Sequence, residues 1–253
     1  MRRYSTTISL VKNARGCWGF DTVKGCGSGM AHSPGGCYGV CYAFRAANQR
    51  GFDFAHPVLR RFKNEKHRQQ IIRHIQSIDN EFVRIGVMGD PSENWDHTIE
   101  ICEQIQAAGK RIVIVTKHWK PLPFNLYNRV MRMGLVVNTS ISALDTESQR
   151  THRLQQYNRL KLICKSVLRI VSCDFNMESK QGRKLDAIQQ SLFDNENTID
   201  NMLRVSKNHP MVVSGTIKIK RRQFLTGKTT VSEKNKNTHI GPCADCPDRC
   251  GLS

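Results

Sequence analysis

The sequence predicts an α/β fold: a partial, TIM-like (β/α)6 barrel of parallel strands, with a cysteine-rich N-terminal loop and a cysteine-rich C-terminal tail. Three observations lead there. Apolar, β-branched runs recur along the chain, as parallel strands buried on both faces require. Segments with helical spacing lie between them, which implies βα units with right-handed crossovers. The strand ends are polar, and in parallel α/β folds that is where sites form.

The strand runs are 6–11 (TTISLV), 82–88 (FVRIGVM), 111–116 (RIVIVT), 135–141 (LVVNTSI), 167–172 (VLRIVS) and 211–219 (MVVSGTIKI). Helical patterns are expected over 60–78, 95–108, 124–133, 146–163 and roughly 195–206, with Gly109 as a C-cap. Six strands suit an incomplete barrel better than a full one, and a doubly wound sheet is the fold alternative. The domain reading is a barrel over 1–225 and a metal-binding tail over 226–253 that returns to the same body by a polar tether.

The chain has 253 residues, 39% hydrophobic and 24% charged, which excludes wholesale disorder. No apolar run reaches the roughly 20 residues of a membrane helix. The start, MRRYSTTISLVKN, lacks the apolar stretch of a signal peptide, so a cytoplasmic protein without a membrane partner is expected. The net charge of +18 points to a polyanionic partner, most often nucleic acid, against the plainer reading of a basic, solvated surface.

Seven of the ten cysteines fall in two knots. Cys17, Cys26, Cys37 and Cys41 form the first, and Cys243, Cys246 and Cys250 the second. Both are rich in Gly or Pro. In a reducing compartment such clustering reads as metal binding, and thiolates select zinc or iron–sulfur clusters. Cys102, Cys164 and Cys173 sit at apolar helix or strand positions and read as small core residues, with Cys173 close enough to the strand ends to stay open.

The order of four motifs, GGCYGVCYA (35–43), GVMGDPSENWDHT (86–98), IVIVTKHWKP (112–121) and TSISALD (139–145), resembles the radical S-adenosylmethionine (radical SAM) superfamily. It is most similar to the spore photoproduct lyase-like branch and to phage-type proteins with a Gly-Cys…Cys-Tyr-Ala signature. The family's C-x3-C-x2-C motif is incomplete here: Cys37 and Cys41 keep the first spacing, but position 44 is Phe. Cys26 or Cys17 must complete the set.

The resemblance implies a [4Fe-4S] cluster that reductively cleaves S-adenosylmethionine and yields a 5′-deoxyadenosyl radical. The expected substrate is a nucleic acid or a nucleotide-containing molecule, modified or repaired. An external electron donor of flavodoxin or ferredoxin type is implied as well. Three open-cluster ligands and four for a closed site make seven. Cys26, Cys37 and Cys41 are therefore assigned to the first cluster. Cys17, Cys243, Cys246 and Cys250 are assigned to a second metal site, iron–sulfur in preference to zinc, with His239 as an alternative ligand. Gly89 and Asp90 match the turn that receives the methionine amino group. Ser140, Ser142, Arg169 and Ser172 are candidates for the carboxylate and ribose, Tyr42 for the adenine, and Lys117 and His118 for a substrate phosphate. Asp90 and Asp145 read equally well as helix caps. The rival reading is a non-catalytic, zinc-stabilised nucleic-acid-binding protein.

Overall fold

The computed structural model describes residues 2–33, 35–223, 230–232, 234–235 and 238–253. The strands are β1 (Val11–Lys12), β2 (Trp18–Phe20), β3 (Val23–Lys24), β4 (Val58–Leu59), β5 (Phe82–Ile85), β6 (Arg111–Thr116), β7 (Val136–Ile141), β8 (Lys165–Ile170), β9 (Thr198–Asp200), β10 (Leu203–Val205), β11 (Lys220–Gln223) and β12 (Thr230–Ser232). The helices are α1 (Gly27–His32), α2 (Tyr42–Gln49), α3 (Glu65–Ser77), α4 (Trp95–Ile105), α5 (Tyr127–Met133), α6 (Glu147–Leu160), α7 (Lys180–Phe193) and α8 (Pro210–Val213).

The main sheet has seven strands in the order β1-β2-β5-β6-β7-β8-β9. All neighbours are parallel except β1 and β2. Six parallel strands in sequential order match a partial (β/α) barrel; β1 and β9 form the two edges. A smaller antiparallel sheet, β10-β12-β11, and the β3-β4 pair complete the strand structure.

Alternation along each strand divides the side chains between two faces. Val83, Ile85, Ile112, Ile114 and Val137 point outward into the main core, where they meet Ile71, Ile75, Ile99 and Ile105 from α3 and α4. The inward set starts with an apolar ring at the N-terminal strand ends: Phe82, Val113, Val136, Val167 and Ile199. Local chemistry fixes the helix starts. Asn94 caps α4 by accepting from the His97 amide, and Thr146 and Gln149 form a reciprocal capping box on α6.

Three expectations are corrected. Residues 6–11 do not form the first parallel strand. Ile8 is buried in the core, but the segment is tied by a single bridge, Thr7 to Arg61, and β2 takes the place beside β5. The helix expected near 195–206 is instead β9 and β10, two three-residue strands either side of Asn201 and Met202. The strand expected at 211–219 contains α8, after which Gly215 turns the chain at φ 71°. Helix α7, which the sequence reading passed over, buries Leu192 and uses Gln189 to clamp the Cys173 backbone through bonds of 2.8 and 2.9 Å. The expected domain boundary at 225–226 lies outside the described residues.

The tail packs against the N-terminal strand ends. The Cys243 amide donates to Arg15 O at 2.6 Å, Arg15 Nε donates to Gly241 O at 2.8 Å, and Asn138 Nδ2 donates to Cys250 O at 2.9 Å. Gly251 sits at φ 88°, and a Cβ there would overlap a methyl group of Val167. Gly251→Ala is therefore expected to cost about 1–3 kcal/mol, from a disfavoured backbone and an overpacked contact together, as measured by urea denaturation.

Candidate functional site

The inward face encloses a cavity of about 360 Å3 that runs between the two cysteine knots. Cys26, Cys37 and Cys41 line one end, and Cys243, Cys246 and Cys250 line the other. Its size is that of a small-molecule site.

Three different turns carry the first knot. Cys26 caps α1 and accepts from the Gly29 amide at 3.3 Å. Cys37 opens a single 3-10 turn, and Cys41 precedes α2. The loop closes because its glycines leave space. A Cβ on Gly36 would stand 2.6 Å from Cys41 Cβ, and one on Gly29 would stand 2.8 Å from Cys26 Sγ. Gly36 also needs its φ of 74°, which other residues resist. Burial raises the thiols of Cys26 and Cys37; beside Cys37, the Lys117 charge pulls the other way. Such a site favours neutral thiols until a metal draws off their protons.

The acidic turn after β5 is held from both sides. Asp21 accepts from the Val87 and Met88 amides at 2.6 and 2.7 Å. Asp90 Oδ1 accepts from the Ser92 amide and hydroxyl and from Thr116 Oγ1, while Oδ2 accepts from the Lys117 amide at 2.8 Å. The Asp90 carboxylate thus spends its acceptors on the fold and acts as a cap. Gly89 and Asp90 do line the cavity, and Gly89 pairs with Gly25, joining the turn to the first knot. A Cβ on Gly89 would overlap Val23 O.

Tyr42, Ser140, Lys117 and Arg169 also line the cavity. The Tyr42 hydroxyl donates to Val87 O, and the residue is 47% exposed overall. Arg169 lies lower down, its strongest charged neighbours being Cys250 and Arg84. It belongs to the second knot's end of the cavity rather than the first. Ser142 and Ser172 do not line the cavity. Ser142 Oγ donates to Val171 O at 2.7 Å, and Ser172 Oγ donates to Asp200 at 2.5 Å. His118 lies outside as well. It is 1% exposed and rests against Trp95 with ring centroids 5.3 Å apart. Burial pushes its pKa down to about 3, so it is neutral and offers no charge to a phosphate.

Sequence reasoning missed a buried charge network beside Cys37. Arg153 forms an ion pair with Asp145, Lys117 Nζ stands 3.7 Å from Asp145, and Tyr38 donates to Asp145 at 2.8 Å. Burial alone would raise the Asp145 carboxyl, but Lys117 and Arg153 outweigh it and hold it below the ordinary range. The signal was Arg153 at the buried face of an otherwise polar helix, which only the fold reveals.

Cys17, 2% exposed, lies across the sheet from the first knot, packed with Cys243 and Cys250. Its thiol donates to Trp18 O at 3.6 Å, and the neighbouring Cys17 thiol and then the nearby arginines lower the Cys243 pKa. The His239 ring instead bonds Pro242 O, with Nε2 at 2.7 Å. Cys102 and Cys173 are fully buried. Among the described residues, no three ligand-type side chains are gathered closely enough to share a single ion.

No family model matches the chain, and no curated protein matches it. A solved structure that it resembles is a double mutant of spore photoproduct lyase with bound AdoMet and dinucleoside spore photoproduct. The identity is 12% and the TM-score 0.53, over 90% of this chain and 72% of that one. The fold is shared. No helix among the described residues is long and apolar enough to cross a membrane.

Two outcomes follow from the buried charges. Asp145→Asn strands Arg153 and is expected to cost about 3–5 kcal/mol in chemical denaturation. His118 stays neutral in the fold but takes up a proton below about pH 6.5 when unfolded. Stability should therefore decline as pH falls from about 6.5 toward 3, by up to about 1.4 kcal/mol per pH unit from this group. His118→Phe should remove that part of the slope in pH-dependent unfolding.

Proposed function

We propose that the chain is a radical SAM enzyme: Cys26, Cys37 and Cys41 hold a [4Fe-4S] cluster, and S-adenosylmethionine occupies the adjoining end of the cavity. One observation carries the reading. Three cysteines from three separate turns face a single cavity at the C-terminal ends of parallel strands, in a fold shared with a radical SAM lyase. The glycine-lined turn suits the group, because the space a Cβ would fill at Gly29 and Gly36 lies against two of the sulfurs. Three thiolates leave one iron of such a cluster open to a ligand. When bound, the cluster supplies the electron that cleaves S-adenosylmethionine to methionine and a 5′-deoxyadenosyl radical.

The chain's own residues bind, orient and shield. Lys117 stands beside Cys37, where burial lowers its pKa and the Asp145 carboxylate works against that to favour the charged form. Tyr42 offers a fixed aromatic face to an adenine. Asp21 and Asp90 set the shape of the turn over 86–92, and so the width of the cavity mouth. The hard chemistry is the cofactor's, while the protein supplies position and exclusion of water.

The substrate is proposed to be a nucleic acid or a nucleotide-containing molecule. The net charge of +18 favours a polyanion, and the structural neighbour carries a dinucleoside photoproduct. An external one-electron donor completes the reading.

Anaerobically reconstituted protein, given dithionite and S-adenosylmethionine, should release 5′-deoxyadenosine and methionine. Cys37→Ala should abolish release while Cys102→Ala keeps it. Iron-loaded protein that yields no 5′-deoxyadenosine overturns the reading. Binding to DNA or RNA should weaken steeply with salt; absence of binding at low salt removes only the nucleic-acid claim.

A further inference from the structure

The inward rows of the sheet carry an anomaly independent of the chemistry at the first knot. Above the apolar ring of Phe82, Val113, Val136, Val167 and Ile199, two residues further along β5 and β8, come Arg84 and Arg169. Both line the cavity between the knots. A guanidinium stays charged at any pH a protein meets, so in such a place it needs an anion.

The protein supplies few. Arg169 Nη2 donates to Asn201 Oδ1 at 2.5 Å, which is a neutral partner. Arg84 Nε is buried with no hydrogen-bond partner. The acidic groups that act most strongly on Arg84 are Tyr42, Cys17, Cys250 and Cys243, and for Arg169 the first is Cys250. As thiols these cysteines are neutral, which leaves Asp200 as a carboxylate acting on Arg169 and no carboxylate among the strongest neighbours of Arg84, although both guanidiniums are only partly exposed. As metal-bound thiolates the cysteines become anions. Four thiolates around Zn2+, or around an oxidised [4Fe-4S] core of charge +2, leave a net charge of −2, which two guanidiniums match.

We propose that the N-terminal pole of the sheet holds a dianionic four-thiolate metal centre, ligated by Cys17, Cys243, Cys246 and Cys250 and neutralised by Arg84 and Arg169. Three further features fit it. Cys17, Cys243 and Cys250 already pack together against the apolar ring. Cys246 lines the cavity together with Cys243 and Cys250, and the tail turns there through the Arg249 amide, which donates to Cys246 O at 3.3 Å. Arg249 and Cys250 adopt left-handed φ values of 42° and 57°, a costly turn that folds the tail back on itself at Cys250. Arg84 and Arg169 are positioning residues here: they set the charge balance of the centre and do not ligate it.

The test uses the full chain with Cys26, Cys37 and Cys41 all changed to Ala, purified without oxygen and shown folded by circular dichroism. One metal centre per chain should remain. About four irons with sulfide and a brown colour that bleaches on dithionite identify a cluster; one zinc and no colour identify zinc; either supports the proposal. Adding Cys250→Ser should remove the metal. In the same background Arg84→Met or Arg169→Met should weaken metal retention against a chelator by about 10- to 100-fold, and Arg84→Lys should restore most of it. A folded triple variant that takes up neither iron with sulfide nor zinc overturns the proposal. So does unchanged chelator resistance in both Met variants. If the triple variant does not fold, wild-type protein that holds only one centre's metal after full loading overturns it equally.

Discussion

Arg84 and Arg169 stand on the inward face of a parallel sheet, only partly exposed, and the arrangement around them follows from that constraint. A strand that carries Phe82 and Arg84 on one face turns both to the same side, Phe82 buried and Arg84 half-buried. The sheet answers with two zones. The apolar ring closes the N-terminal end, and above it polar residues gather round the cavity. The tail then caps the ring with cysteines and backbone, pinned by Arg15, Asn138 and the Arg249–Glu81 ion pair. A wholly apolar lumen would need no such cap. The charges inside the sheet and the sulfur-rich tail outside it are two halves of one electrostatic arrangement.

The same geometry separates cysteines that look like neighbours in sequence. Cys17 and Cys26 are nine positions apart, yet Cys17 immediately precedes β2 and Cys26 follows β3. Cys26 therefore lines the cavity, while Cys17 lies in the apolar cluster at the N-terminal strand ends. Cys26 is bound to the first knot by its position at the start of α1, beside the Glu93 carboxylate that accepts from the Ser28 amide at 2.7 Å. Cys17 packs against Cys243, Cys250 and Leu252 of the tail. Which cysteine joins which set is thus a property of a three-residue strand.

That strand is also where the sequence was hardest to read. The long β-branched runs at 82–88, 111–116 and 135–141 contain β5 to β7, and the run at 167–172 overlaps β8, because parallel strands buried on both faces need continuous apolar side chains. Trp-Gly-Phe at 18–20 offers no such run; its place in the sheet comes from pairing with β5, not from propensity. The more strand-like 6–11 only buries Ile8. Residues 198–205 mix apolar and polar positions closely enough to mimic a helix, and pairing with β8 makes 198–200 a strand while pairing with β12 makes 203–205 one. In the candidate site, the cysteines, Gly89, Asp90, Tyr42 and Lys117 were visible as motif residues. Arg84, Arg153 and Asp21 were not, since nothing in a lone charged residue says which face of an element it occupies.

Position also separates roles that residue type alone left joined. Serines at strand ends can bind a ligand or close the fold, and the alternation of the strand decides. Ser140 is in the inward row with Asn138, whereas Ser142 and Ser172 satisfy carbonyl and carboxylate groups of their own neighbours. Lys117 and His118 are adjacent, yet one faces the cavity beside Cys37 and the other lies neutral against Trp95. The left-handed turn at His118, φ 48°, makes that divergence possible by rotating successive side chains away from simple alternation. A single backbone torsion thus assigns the charge to the cavity and the uncharged ring to the core.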